Sequence, residues 1–302
     1  MLANNVEYKG VLQVIGNTPL AKINLDTPAT ILAKLEYLNP GGSIKDRPAF
    51  FMIEDAERRG LLQPGGTIIE ASSGNQGIAL AMIGAAKGYK VAITVPDATS
   101  DEKIATLQAY GAQVFICPSS SDPDDPRGYH AKAQELLQTI PKSFMPNQYY
   151  NKQNPYAHYT TTGPEIWNQT NGSITHFISG KGSCGTISGV GKYLKEKNPN
   201  IKIMVVDEVL SEKSSNQYKI EGIGVGIEHN LDTSVVDEII LVDGFDAFST
   251  VRKLAREHGI LVGLSSGSVM YAILERLDEF KAGDIVVTIL ADSGRAYLGK
   301  II

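Results

Sequence analysis

The 302-residue sequence has few cysteines, no excess of positive charge and no long apolar run. Its two cysteines, Cys117 and Cys184, lie far apart and form no CxxC pair, which argues against a disulfide framework or a zinc site. The net charge of −5 argues against a broad nucleic-acid-binding face. No stretch reaches the roughly 18 apolar residues of a membrane span, and no signal peptide is visible. We therefore expect a cytoplasmic protein that binds no metal, membrane or nucleic acid.

Short β-branched runs alternate along the chain with segments of helical periodicity, the arrangement typical of parallel α/β sheets covered by helices. Helices are predicted at 75–87, 100–110 and 246–258. Strands are predicted at 30–35, 67–70, 90–95, 113–117, 176–179, 202–206 and 284–290. Glycines that tolerate positive φ follow several helical patterns, at Gly60, Gly88, Gly111 and Gly259.

The segment 118–128 is dense in Ser, Asp and Pro, so a surface loop is predicted there. From the residues alone, a boundary between two α/β domains falls near 143–148.

Four loop-like segments follow predicted strands or precede predicted helices, where α/β sheets bind ligands. In the first, NPGGSIKDR at 39–47, Lys45 comes directly before a helical pattern. The positive end of a helix dipole disfavours its ammonium form, which leaves more free amine for Schiff-base chemistry. Taken alone, the segment is more typical of an ordinary solvated lysine.

The second segment, EASSGNQG at 70–77, places small polar residues at a helix start, where backbone N–H groups can bind a carboxylate or phosphate. An ordinary capped turn explains it equally well. The fourth segment, GLSSG at 263–267, is explained by a serine N-cap. His158 is compatible with either an ordered surface residue or a functional one.

The third segment, SGKGSCGTISG at 179–189, is glycine-rich, which permits close backbone approach to a phosphate. It also matches the dinucleotide pattern GxGxxG at Gly180, Gly182 and Gly185, with Asp207 about twenty residues further on. A nicotinamide-dependent oxidoreductase is therefore an alternative at this point.

Together, GSIKDR, SSGNQG, GSCGTISG and GLSSG resemble the cysteine synthase and cystathionine β-synthase family of pyridoxal-phosphate enzymes. The resemblance runs from GNTPL at 16–20 to ADSGRAYL at 291–298. It implies fold type II, similar to the tryptophan synthase β subunit, with two mostly parallel sheets covered by helices. It also moves the domain boundaries. Residues 36–146 would form a smaller mobile substrate-binding domain, and residues 1–35 and 147–302 a larger cofactor-binding domain.

The resemblance implies a role for each candidate residue. Lys45 would hold pyridoxal 5'-phosphate as a Schiff base and move the substrate's α-proton, Asn75 would bind the 3'-oxygen, and Ser265 would face the pyridine nitrogen. The phosphate would be held by Gly182, Ser183, Cys184, Gly185 and Thr186. The substrate would be bound by Ser72, Ser73, Gln76 and Gln148, with Gln76 standing where the family usually has threonine.

The implied activity is β-replacement on L-serine or O-acetyl-L-serine by a sulfur nucleophile, by way of an aminoacrylate. A cysteine synthase, which makes L-cysteine and acetate from O-acetylserine and sulfide, is favoured over a cystathionine β-synthase, which joins serine and homocysteine. A nicotinamide oxidoreductase and a non-catalytic binding protein are more remote alternatives. The family resemblance also implies a homodimer.

Overall fold

The computed structural model describes residues 10–72, 74–119, 125–209, 219–224 and 228–301. The strands are β1 (Leu20–Ile23), β2 (Thr30–Leu35), β3 (Thr67–Ala71), β4 (Lys90–Pro96), β5 (Gln113–Cys117), β6 (Ser143–Phe144), β7 (His176–Gly180), β8 (Lys202–Val209), β9 (Glu238–Asp243) and β10 (Ile285–Leu290). The helices are α1 (Asp46–Arg58), α2 (Asn75–Lys87), α3 (Asp101–Ala109), α4 (Tyr129–Thr139), α5 (Gln153–Ala157), α6 (Gly163–Gln169), α7 (Gly185–Lys197), α8 (Gly244–His258), α9 (Leu264–Leu274) and α10 (Leu298–Ile301).

The strands form two sheets. One has six strands in the order β1-β2-β10-β7-β8-β9, and β1 is antiparallel to β2 while the other neighbours are parallel. The other has four parallel strands in the order β5-β4-β3-β6. The order of the strands requires crossover connections, which the helices supply. The predicted fold class is confirmed.

Apolar clusters cover both faces of each sheet. Successive strand residues point to opposite faces, so each strand contributes to the clusters on both sides. In β7, Phe177 joins one apolar cluster and Ile178 joins another on the opposite side of the sheet. In β3, Ile68 and Ile69 divide in the same way between two clusters. Helix α2 packs in the cluster around Ile68. It is enclosed by protein, which its sequence allows because nearly all of its sides are apolar. Burial on both faces explains why these strands are continuous apolar runs rather than alternating patterns.

Glycines end the helices as predicted. Gly60, Gly88, Gly111 and Gly259 have φ values of 71°, 76°, 83° and 68°. At the end of α2, the N–H of Gly88 donates to the carbonyl of Gly84, which satisfies one of the last free carbonyls of the helix.

The predicted element bounds agree closely with the structure. Helix α2 has the predicted bounds, α3 is one residue shorter at each end, and α8 starts two residues early because the Asp243 side chain caps Phe245 N–H. The predicted strand at 284–290 begins at Ile285. The sequence pattern missed β1, β6 and β9. Residues 118–119 and 125–128 are neither helix nor strand, and the remainder of that predicted loop lies outside the described residues.

Each sheet is built from one of the two predicted chain segments, since β3 to β6 fall within 36–146. The domain boundaries themselves stay a prediction. Among the described residues, no helix is long and apolar enough to cross a membrane, and no group of three or more His, Cys, Asp or Glu side chains could hold a metal ion. Cys117 and Cys184 are buried free thiols.

Candidate active site

The four predicted loops come together around the end of β10. The N–H of Ile44, beside Lys45, donates to the carbonyl of Ala291 at 2.9 Å, and Ser43 forms an isolated bridge with Asp292. The N–H of Gly263 donates to the carbonyl of Asp292 at 3.1 Å, and Asn75 contacts the carboxylate of the same residue. The site therefore combines loops that are more than 200 residues apart in the chain.

Lys45 immediately precedes α1, as predicted, and its backbone N–H donates to Ser43 Oγ at 3.2 Å. Burial lowers the pKa of Lys45, and the nearby Asp292 carboxylate and Cys184 raise it by less. The positive end of the α1 dipole also disfavours a second positive charge at this position. The surroundings of Lys45 thus favour a free amine more strongly than water does.

A buried ionic network holds the start of α1 against β2. Arg47 is 1% exposed; its Nε lies 2.8 Å from Glu36 and its Nη1 lies 2.6 Å from Glu165. Lys34 pairs with Glu165 at 2.7 Å. Burial raises the pKa of Glu165, but hydrogen bonds and charge from Arg47 and Lys34 outweigh it and hold the pKa at about 2. Because Arg47 is two residues from Lys45, this network fixes the backbone that carries the amine.

Asp46 fixes the turn on the other side of Lys45. Its Oδ2 accepts a hydrogen bond from the N–H of Gly41 at 2.6 Å, and a Cβ on Gly41 would overlap with this carboxyl group. Burial raises the pKa of Asp46 to about 7, although the Gly41 N–H and Arg47 oppose the shift. Glycine at position 41 is therefore required by the close approach of Asp46 to the turn.

The loop before α2 is held by Ser72. Its buried Oγ accepts hydrogen bonds from the N–H groups of Gly77 at 3.1 Å and Gly74 at 3.4 Å. Asn75 is the first residue of α2, and its Nδ2 donates to Asp292 Oδ2 at 2.6 Å. Ser73, which was also assigned to this loop, lies outside the described residues.

Gln76 and Gln148, both assigned to the substrate, are buried. Gln76 Oε1 has no hydrogen-bond partner among the described residues, whereas its Nε2 lies 3.8 Å from Met52 Sδ. The backbone of Gln148 is held at both ends: its N–H donates to Glu70 at 3.2 Å, and its carbonyl accepts from Asn154 Nδ2 at 2.9 Å. An unpaired buried amide oxygen is costly, so Gln76 Oε1 is available to accept a hydrogen bond from a ligand, whereas a carboxylate would need its Nε2.

The glycine-rich segment after β7 forms the start of α7. Cys184 adopts left-handed φ of 63°, uncommon for a residue with a side chain, and Ser183 Oγ accepts from Asn154 Nδ2 at 2.9 Å. A Cβ on Gly182 would overlap with the carbonyl of Gly222, and a Cβ on Gly185 with Asn154 Oδ1. The first N–H groups of α7 have no partner within the helix, so this end can bind an anion.

The structure excludes the surface position that the sequence left open for His158, and it contradicts the serine N-cap expected at 263–267. His158 is 1% exposed, rather than on the surface; its Nδ1 lies 2.9 Å from Thr162 Oγ1, and its Nε2 lies 3.3 Å from Thr186 Oγ1. Burial lowers the pKa of His158 well below its usual value, so the ring is neutral. The serine N-cap at 263–267 is also absent, because the N-cap of α9 is Gly263, without a side-chain hydrogen bond.

Ser265 lies in the first turn of α9 and is half-buried. A Cβ on Gly222 would lie 3.9 Å from Ser265 Cβ, so the segment 219–224 passes close to Ser265 and to Gly182. The neighbouring Ser266 Oγ accepts from the N–H of Ala291 at 2.9 Å, which ties the start of α9 to the end of β10.

Asp207, on which the nicotinamide alternative depended, forms an ion pair with Lys181 at 2.7 Å. Lys181 also pairs with Glu228. The carboxylate is therefore engaged in holding the glycine-rich loop.

Three residues at the candidate site were not singled out from the sequence: Asp292, Tyr297 and Asn154. Asp292 is 3% exposed and follows β10 by two residues, and Tyr297 OH donates to its Oδ2 at 2.6 Å. No local motif marks these residues, because their contacts join distant parts of the chain. The available signals were the resemblance of the segment ADSGRAYL, for Asp292 and Tyr297, and that of NQYYNKQNPYAHYTTTGPEIW at 147–167, for Asn154.

Comparison with known proteins then identifies the family. The family model described as "Pyridoxal-phosphate dependent enzyme" matches residues 11–292. The chain belongs to this family. A cystathionine beta-synthase of Apis mellifera is 44% identical over 97% of the chain, but the chain spans only 61% of that relative's length. A cysteine synthase of Staphylococcus aureus strain Mu50 is 43% identical over 95% of the chain and 94% of the relative.

Two solved structures share the fold of this chain. A hydrogen sulfide-producing enzyme from Fusobacterium nucleatum has a TM-score of 0.89 and 42% identity, covering 97% of this chain and 98% of that one. An O-ureido-L-serine synthase has a TM-score of 0.88 and 32% identity, covering 97% and 94%.

The residues present fit pyridoxal phosphate. The cofactor requires an amine for its aldehyde carbon and donors for its phosphate. Lys45 supplies an amine whose pKa burial lowers, and the start of α7 supplies backbone donors. The Asn75 amide carries two N–H hydrogens and lies beside Asp292 and Tyr297, so one N–H can bind the Asp292 carboxylate and the other is the donor that an oxygen of the ring would take.

Proposed function

We propose that this chain catalyses β-replacement on serine or an activated serine by a sulfur nucleophile. The observation that carries the proposal is that the loops containing Lys45, Asn75 and Ser265 meet at Ala291 and Asp292, since this joins three of the four segments assigned to the cofactor. The family match supports the cofactor, and the relatives named cysteine synthase and cystathionine beta-synthase support the class of reaction.

Bound pyridoxal phosphate supplies an electron sink for the substrate's α-carbon. The amine of Lys45 would hold the cofactor and would accept the substrate's α-proton. Ser265 would be the residue at the pyridine nitrogen, and its neutral hydroxyl would not hold a proton there as a carboxylate would. This residue would thereby favour departure of the β-substituent over transamination.

Phosphate binding falls to Gly182, Ser183, Cys184, Gly185 and Thr186. Burial raises the pKa of the Cys184 thiol to about 11, so this residue brings no negative charge to the phosphate. Thr186 can donate its hydroxyl to the phosphate when neutral His158 donates to Thr186 Oγ1 through Nε2–H.

The substrate carboxylate is assigned to Ser72, Ser73, Gln76 and Gln148. Ser72 holds the loop in shape through Gly77, and the start of α2 supplies N–H donors to an anion. Closure of the smaller domain, residues 36–146, would exclude water from the reacting β-carbon. The ion pair between Lys103 of α3 and Glu221 is one contact that supports this closure.

Among the possible substrates we favour O-acetyl-L-serine and sulfide, which give L-cysteine and acetate. Support comes from the cysteine synthase relative, whose length this chain spans almost fully. Cystathionine formation from serine and homocysteine is the second candidate, because a cystathionine beta-synthase is similarly identical over the same region.

Product identification with each donor and nucleophile tests the proposal. Purified protein with bound cofactor is given O-acetylserine or serine, each with sulfide or homocysteine. Cysteine formed fastest from O-acetylserine and sulfide is expected, and cystathionine from serine and homocysteine would favour the second candidate. Lys45→Ala is the control and should lower the rate by at least about 100-fold. A protein that retains cofactor but makes neither product would refute the proposal.

We also propose a cytoplasmic homodimer, on the strength of the family resemblance. Exposed apolar side chains such as Val11 and Val14, each 48% exposed, are available to a second copy. Light scattering of the purified protein should give twice the mass of the 32.5 kDa chain. A monomer at micromolar concentration would contradict this assignment, and cell fractionation tests the compartment.

A further inference from the structure

Asp292 joins the two groups of elements that form the site. It follows β10 of the six-stranded sheet, whereas Asn75 begins α2, which packs on the four-stranded sheet. The Asn75 Nδ2 and the Tyr297 hydroxyl both donate to Asp292 Oδ2 at 2.6 Å. Both hydrogen bonds are largely shielded from water, because Asp292 is 3% exposed.

Asp292 Oδ2 acts as an acceptor, because both the Asn75 Nδ2 and the Tyr297 hydroxyl donate to it. Asp292 therefore selects one of the two amide orientations of Asn75, the one with Nδ2 toward the carboxylate and Oδ1 away from it. The opposite orientation would place two acceptor oxygens against each other. Burial raises the pKa of Asp292, while Tyr297 and Asn75 lower it by donating hydrogen bonds, and Lys103 lowers it by its charge.

The second oxygen of Asp292 is held in place by the shape of the loop before α9. Oδ1 has no hydrogen-bond partner among the described residues, and a Cβ on Gly263 would overlap with it. The carboxyl group therefore occupies space that is available only because residue 263 is glycine. With Oδ1 confined against Gly263, Oδ2 is the atom left to face Asn75.

We propose that Asp292 is a positioning residue that orients the amide of Asn75 toward the bound cofactor. With one Nδ2 hydrogen on Asp292, the second is directed to the 3'-oxygen of pyridoxal phosphate. Asp292 thus acts through Asn75 and touches neither substrate nor cofactor. The inference rests on the proposed role of Asn75.

A double-mutant cycle on cofactor affinity tests this coupling. Cofactor-free wild type, Asn75→Ala, Asp292→Asn and the double variant are titrated with pyridoxal phosphate, and the dissociation constant is measured from the absorbance of the bound form. Loss of a hydrogen bond to a charged group corresponds to roughly a tenfold change. Asn75→Ala and Asp292→Asn should each weaken binding about tenfold, and the double variant should be no weaker than Asn75→Ala.

The double-mutant cycle separates the positioning role of Asp292 from the cofactor-binding role of Asn75. Asp292→Asn with unchanged affinity, or with a loss that persists fully on the Asn75→Ala background, would overturn the inference and leave the role of Asn75 intact. Unchanged affinity of Asn75→Ala would overturn both. Asp292→Ser carries the same test if the asparagine variant does not fold. Asp55→Asn is the matched control: it removes a buried carboxylate bonded to Arg58 and Arg59 and should not change affinity.

The absorbance of the bound cofactor gives a second readout that a merely structural role would not alter. The visible absorption maximum should shift in the same direction in Asn75→Ala and Asp292→Asn, because both lose the oriented donor at the 3'-oxygen. A shift in Asn75→Ala with a wild-type spectrum in Asp292→Asn would contradict the inference.

Discussion

At the scale of single residues, the sequence identified those site residues whose place is set by the local sequence pattern around them. Lys45 and Asn75 were placed at helix starts because the helical pattern begins immediately after or at them, and the structure has them there. Asp292 was missed because its importance comes from Asn75, 217 residues away. Pairing at such a distance is a property of the folded chain and leaves no local pattern.

Glu70 gives a prediction about pH at this scale. Its carboxylate accepts N–H groups from Asn147 at 2.8 Å and Gln148 at 3.2 Å. Burial nevertheless raises its pKa from 4.5 to about 7. A raised carboxyl pKa means that the folded state binds the proton more tightly than the unfolded state. The stability contributed by Glu70 is therefore full at low pH and is lost as pH rises from about 4.5 to 7.

Between pH 5 and pH 7, ionisation of Glu70 should lower the free energy of unfolding of the wild type by about 2 kcal/mol. Glu70→Gln should abolish this part of the decline. Urea denaturation at several pH values measures it. The exposed Glu135→Gln is the control and should keep the wild-type slope. A Glu70→Gln protein whose stability falls with pH as steeply as wild type would show that Glu70 is not the group responsible.

At the scale of elements, the seven predicted strands are present because β-branched runs and turn residues define them locally. The strands that were missed lack such a signal: β6 has two residues, β1 has four, and β9 lies at a sheet edge with Ile239 and Leu241 exposed. Their pairing depends on neighbours from other parts of the chain. Tertiary contacts, rather than local preference, decide such strands.

Helix α2 shows how packing can override local preference. Alanine at position 84 would favour the helix by about 1 kcal/mol over glycine, but a Cβ there would overlap with Val91 Cγ2 on β4. We expect Gly84→Ala to lower the free energy of unfolding by about 1–3 kcal/mol, because overpacking outweighs propensity. Thermal and urea unfolding measure the change.

A compensating variant checks the cause. Val91→Ala removes the methyl groups that meet the new Cβ, so the double variant Gly84→Ala/Val91→Ala should be more stable than the sum of the single effects. Strict additivity would mean that the contact between α2 and β4 is not the origin of the loss.

At the scale of the whole molecule, the two sheets matter because their loops meet at one place. Asn75 from the four-stranded half contacts Asp292 from the six-stranded half, and Lys103 of α3 contacts Glu221 beside the glycine-rich loop. The fold class could be predicted from strand and helix alternation. The meeting of the four loops followed from the family resemblance, since alternation alone does not specify which loops become neighbours.

The central claim is that Lys45, among these loops, holds the cofactor. Borohydride reduction of the native protein, followed by proteolysis and mass spectrometry, tests it most directly, because reduction fixes the cofactor to its lysine. We expect the phosphopyridoxyl mass on the peptide that contains Lys45, and no label at that position in Lys45→Ala. Stoichiometric label on Lys181 or another lysine, or a native protein that carries no label after incubation with pyridoxal phosphate, would contradict the account.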